Sequence, residues 1–158
     1  MTKLLIAMGA ILPMLLALMP TPHSATANGP VEVWLGTCSG VQAVPAGAQV
    51  TVFGRWGAKN EGLIRAWLTA ADVTFSVNGE PLPDANNLWS PPYKEDGVAR
   101  TMWAVTLDPL ASGGSYILQW TWGLTHPVID GYDYDGVRGP DRFGPGIAFE
   151  GACTLTAS

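Results

Sequence analysis

The chain is predicted to fold as an all-β, antiparallel sandwich with one short helix, after a cleaved export segment. Three observations carry that expectation. Apolar and polar residues alternate over at least six short runs, the signal of half-buried strands. Nineteen Gly and 13 Pro punctuate those runs, and only 13% of the residues are charged, which suits a compact, turn-rich domain.

The first element is MTKLLIAMGAILPMLLALMPTPHSATA, with Lys3 ahead of an apolar run from Leu4 to Met19 and the small-residue triplet Ala25-Thr26-Ala27 at its end. That order is the layout of a secretory signal peptide. The expected division is a signal segment at 1–27 and one mature domain at 28–158. A membrane span is the rival reading, but the run is about 16 residues, is broken by Pro13 and falls short of the ~20 needed. The remaining 131 or so residues are enough for a single domain with its own core.

The strands follow in order. VEVWLG (31–36) and QVTVFGRW (49–56) are candidates. EGLIRAWLTAAD breaks the alternation: Leu63, Ile64, Trp67, Leu68 and Ala71 recur at helical spacing, so a short helix is expected near 61–71. DVTFSVNG puts Val73, Phe75 and Val77 on one face and ends in the turn pair Asn78-Gly79. In ARTMWAVTLD the inward set is Trp103, Val105 and Leu107, and in SYILQWTWGLT it is Tyr116, Leu118, Trp120, Trp122 and Leu124. IAFEGACTLT closes the fold with Ile147, Phe149, Cys153 and Leu155 inward.

Cys38 and Cys153 are the two cysteines, and in a chain read as secreted or periplasmic they are expected to form one disulfide. Thirteen acidic residues face 8 basic ones, a formal charge of −5; losing Lys3 with the signal segment makes it −6. Such a surface repels phosphate backbones and anionic headgroups, so nucleic acid is not an expected partner.

Two further pieces bear on the fold. LDPLASGGSY, Leu107 to Tyr116, resembles the corner of immunoglobulin-like and fibronectin type III domains, in which an early Tyr of a strand bonds back across the turn; Tyr116 would be that residue. Together with VPAGAQVTVFGRWGA, GLIRAWLTAADVTFSVNG and HPVIDGYDYDG followed by Pro140-Asp141, the chain resembles secreted bacterial proteins built on immunoglobulin-like sandwiches. The resemblance implies a fold and no activity, since sandwiches host many unrelated functions.

The stretch DGYDYDGVRGPDRFG (130–144) raises calcium, which takes six to eight oxygens around a Gly-permitted bend. Asp133, Asp135 and Asp141 match the first, third and ninth positions of D-x-D-x-D-G-x-x-D loops, but Val137 and Arg138 occupy the fifth and sixth. A frame starting at Gly131 matches Asp133, Asp135 and Gly136 and ends on Arg142. The expectation is therefore a solvated or Arg-paired loop, with a weak calcium site at Asp130, Asp133, Asp135 and Asp141 as the alternative.

Seven tryptophans in a domain of this size mostly fall on inward faces. Trp34 is out of phase with its neighbours, and Trp89 lies in NNLWSPPY, beside Tyr93. Exposed rings flanked by amides suit sugar rings, so Trp89 and Tyr93 form a candidate glycan site; the rival is a loop aromatic folded over the core. Catalysis has little to draw on. His126 is the one histidine left after processing, no G-x-S-x-G elbow occurs, and the carboxylates crowd one loop instead of facing each other across a cleft. The expected role is a non-catalytic structural or interaction module without a cofactor, its partner an extracellular protein or glycan.

Overall fold

A computed structural model describes residues 30–133, 136 and 139–158. The expected signal segment and Asp135 lie outside the described residues. In chain order the elements are β1 (Val31–Trp34), β2 (Gly40–Val44), β3 (Val50–Ala58), α1 (Glu61–Ala70), β4 (Ala71–Val77), β5 (Glu80–Pro81), a 3₁₀ turn (Ala85–Leu88), β6 (Tyr93–Glu95), β7 (Val98–Leu107), β8 (Ser115–Leu124), β9 (Val128–Ile129), β10 (Arg142–Phe143) and β11 (Gly146–Ala157). The alternating runs become strands because a period of two puts one side of each on the core. They form a four-stranded sheet, β1-β3-β7-β6, and a five-stranded sheet, β2-β11-β8-β4-β5, with β9 and β10 paired separately. The two larger sheets enclose one core, centred on Trp67, Trp103, Ile64, Leu118 and Leu155.

The sheets are not wholly antiparallel. β1 runs parallel to β3, and β2 runs parallel to β11. A parallel pair needs a crossover between its members, and β2 supplies it by packing into the opposite sheet between β1 and β3. The turn that sends the chain across is closed by Cys38, whose backbone N–H reaches the Trp34 carbonyl at 3.0 Å. Cys38 is bonded to Cys153 on β11 across 115 residues, so the disulfide ties the crossing to the last strand.

Helix α1 starts where Asn60 adopts an extended backbone and its Oδ1 accepts the Leu63 N–H at 3.1 Å, an N-cap that fills an orphan donor of the first turn. Ile64, Trp67 and Ala70 form its buried face. The helix ends without a loop: Ala71 turns extended and begins β4.

The Tyr116 hydroxyl donates to the Asp108 carbonyl at 2.9 Å, which is the corner bond expected from LDPLASGGSY. A hydrogen bond of this kind contributes about 1 kcal/mol net. Tyr116→Phe is expected to lower stability by that amount with an unchanged urea m-value, read from chemical denaturation.

One expected inward residue is turned out. The pairing of β11 with β8 slips between Ile147 and Phe149, and the extra residue of the bulge reverses the side on which Ile147 lies. Ile147 is 66% exposed, whereas Phe149 still faces the space between the sheets.

Candidate functional site

The site arises from the shortness of two edge strands. β1 pairs with β3 over Val50–Phe53, leaving Gly54–Ala58 without a strand partner on that side among the described residues. β2 pairs with β11 over Cys153–Ala157, leaving Gly146–Ala152 uncovered in the same way. The sandwich therefore stands open between β3 and β11.

Three rings fill part of this opening because glycine lies opposite them. A Cβ on Gly54 would come within 2.3 Å of the Trp122 ring, one on Gly151 within 2.3 Å of Trp120, and one on Gly36 within 2.9 Å of Trp34. No side chain fits at such distances, so the glycines are what allow the indoles to lie flat against backbone. What remains is a cleft of about 340 Å³ lined by Trp34, Trp56, Trp120, Trp122 and Phe149, with Arg55 and Glu150 at its charged edge. Trp34 and Phe149 are 43% and 44% exposed. The Arg55 guanidinium carbon lies 5.9 Å from the Trp34 ring centre, within cation–π range, and Arg55 also reaches Glu95 at 3.3 Å.

Behind the cleft the rings are continuous. Trp56 stacks on Trp67 at 4.0 Å, Phe143 meets Trp56 edge-on at 4.9 Å, and Trp122 meets Trp89 at 5.0 Å. The indole N–H groups of Trp56, Trp67, Trp89 and Trp122 are buried with no acceptor among the described residues.

The glycan pair read from NNLWSPPY separates. Trp89 is turned inward, edge-on to both Trp67 and Trp122, and bridges to Trp103 on β7. The loop is held there because Ser90 donates its N–H to the Met102 carbonyl while its hydroxyl accepts the Met102 N–H. Trp89 is thus a lid on the core, the rival to the glycan reading. Tyr93 lies elsewhere, half-buried in a shallow groove with Glu32, Phe53, Arg55 and Met102. The exposed indole is Trp34. Its signal in the sequence was its phase: Val33 and Leu35 face the core, so the residue between them faces out.

Among the described residues of the aspartate loop, three hydrogen bonds run within the loop itself. Asp130 accepts the Tyr132 N–H at 2.8 Å, Asp133 accepts the Gly136 N–H at 2.8 Å, and the Asp141 N–H donates to the Tyr132 carbonyl at 2.7 Å. Asp130 is buried while Asp133 is exposed. Among the described residues, no group of three or more His, Cys, Asp or Glu side chains is placed to hold a metal; Asp135 lies outside them. The expected result of scanning calorimetry is a melting temperature unmoved by several millimolar calcium, and a rise of several degrees would favour the calcium reading.

No protein-family model and no curated protein matches the chain. Among solved structures it is similar to the cysteine protease inhibitor EhICP2 from Entamoeba histolytica, with a TM-score of 0.39 and 7% identity, over 82% of this chain and 96% of that one.

Proposed function

We propose that the chain is an exported, non-catalytic immunoglobulin-like module that binds an extracellular partner at the open end of its sandwich. The observation that carries this reading is the cleft between β3 and β11, which leaves Trp34 and Phe149 exposed beside an otherwise buried aromatic core. Aromatic side chains lining a concave apolar surface are typical of binding sites, and they carry most of the energy where a partner desolvates them. The pairing of β3 with β7, the β11-β8-β4 order and the Tyr116 corner support the immunoglobulin-like type. The disulfide supports export, because such bonds persist in oxidising compartments, and no helix among the described residues is long and apolar enough to cross a membrane.

A glycan partner is the second reading, and the observation favouring it is the exposed face of Trp34 beside Arg55. The test is a comparison of the mature domain with its Trp34→Ala and Phe149→Ala variants, on a glycan array and in capture from culture supernatant. Binding that is specific to the unaltered domain supports the proposal, and the array says which class of partner it is. Partners captured equally by all three proteins count against it.

A further inference from the structure

Phe149 divides the open end into two compartments. Phe149 and Trp56 also border a second, wide-open hollow of about 560 Å³, with Phe143, Tyr132, Asp130 and Arg100 in its lining. Building on the proposed binding role of this end, we infer that the second compartment takes a small zwitterion carrying a quaternary ammonium group.

Asp130 is the starting point. It is 3% exposed, and one carboxylate oxygen accepts the Tyr132 N–H. It forms no ion pair among the described residues. A buried carboxylate that makes no ion pair among the described residues is costly, and here it borders a hollow, shared with Arg100, in which a ligand cation could approach it.

The other walls decide what kind of cation fits. A metal ion needs several oxygens, and the described residues offer no such group. A primary ammonium needs acceptors for three N–H donors, and among the lining side chains Asp130 is the one carboxylate, set beside Trp56, Tyr132, Phe143 and Phe149. A quaternary ammonium has no N–H to satisfy. Its methyl groups lie against ring faces, whose negative quadrupole attracts the charge, while Asp130 balances it. Phe143 stands edge-on to Trp56 at 4.9 Å and Phe149 lies 6.0 Å from it, so three rings border this hollow, Trp56 with one face already stacked on Trp67.

Arg100 defines the rest of the ligand. Its Nε lies 2.8 Å from Glu95 Oε2, a close ion pair without the alignment of a hydrogen bond. Glu95 is shared with Arg55, so two guanidinium groups lean on one carboxylate. A ligand carboxylate or phosphate a few atoms from the ammonium would supply the missing negative charge.

The test is a titration of the mature domain with tetramethylammonium, glycine betaine and phosphocholine, read by tryptophan fluorescence and calorimetry, with acetate and inorganic phosphate as anion controls. Tetramethylammonium is expected to bind weakly and at least one zwitterion more tightly. Asp130→Asn should abolish all three signals. Phe149→Leu, at a half-exposed position that leaves the fold intact, should weaken them up to about tenfold, as loss of one ring face implies. Arg100→Gln should bring the zwitterions down to the level of tetramethylammonium. Absence of any signal from all three ammonium compounds overturns the inference, as does a response to the anions alone or an unchanged affinity in Phe149→Leu. A domain that captures its partner through Trp34 yet ignores these compounds would sink this inference and leave the proposed function standing.

Discussion

Replacing Cys38 and Cys153 by serine is expected to produce the largest loss of stability that any pair of substitutions causes outside the tryptophan core. The bond spans 115 residues, and in the chain-entropy treatment a loop of that length is worth about 5 kcal/mol, an upper figure because the reduced chain keeps some structure. The bond also holds a topological feature. Without it, the crossing from β1 to β2 is retained by four parallel pairs on one side and five on the other, at the edges of both sheets. Edge strands open first. The melting temperature of the Cys38→Ser, Cys153→Ser double variant should therefore fall by on the order of 10 °C or more. Hydrogen exchange should show β1 and β2 losing protection ahead of β7 and β8. An unchanged melting temperature would mean that strand pairing alone holds the crossing.

Trp67→Ala is the second. Trp67 is fully buried on α1 and touches three other indoles, stacked on Trp56 at 4.0 Å and edge-on to Trp89 and Trp122 at 6.0 and 6.5 Å. Truncation leaves a void the size of an indole at the junction of helix and sheets, a change that costs roughly 3–5 kcal/mol. It also removes the support beneath Trp56, which walls both compartments of the open end. Denaturation should show the loss directly, with Trp67→Phe recovering part of it. Trp34→Ala, on the exposed rim, should change stability by less than about 1 kcal/mol. If Trp67→Ala and Trp34→Ala proved equally mild, the indole cluster would not be the centre of the core.

Much of the fold was legible because its causes are local. A period of two in DVTFSVNG, ARTMWAVTLD and SYILQWTWGLT needs no partner to be seen, and the helical spacing of Ile64 and Trp67 contrasts with it. Tyr116 could be placed because its bond partner, Asp108, is only eight residues away. The parallel edges were not legible, since they depend on which sheet β2 joins, and no local pattern states that. Ile147 was misplaced by one extra residue in the pairing of β11.

The site was harder to read. NNLWSPPY has the composition of an exposed loop, yet Ser90 stitches it to β7 and Trp89 points into the core, a long-range outcome that composition does not encode. Phe149 was expected inward and does meet Trp56 and Trp122, but it is 44% exposed because β2 begins only at the level of Cys153 and does not cover it. Gly54 and Gly151 did leave a trace: a glycine inside an alternating run, with tryptophans on the facing strands, marks a close approach of ring to backbone.

The most direct test of the account is chemical modification of the native domain with N-bromosuccinimide, mapped by peptide mass spectrometry. Trp34 is expected to oxidise first, and Trp67, Trp89 and Trp103 only after unfolding. Oxidation of Trp89 as early as Trp34 would contradict the account, because the loop would then present its ring to solvent and the open end between β3 and β11 would not be where the aromatic surface emerges.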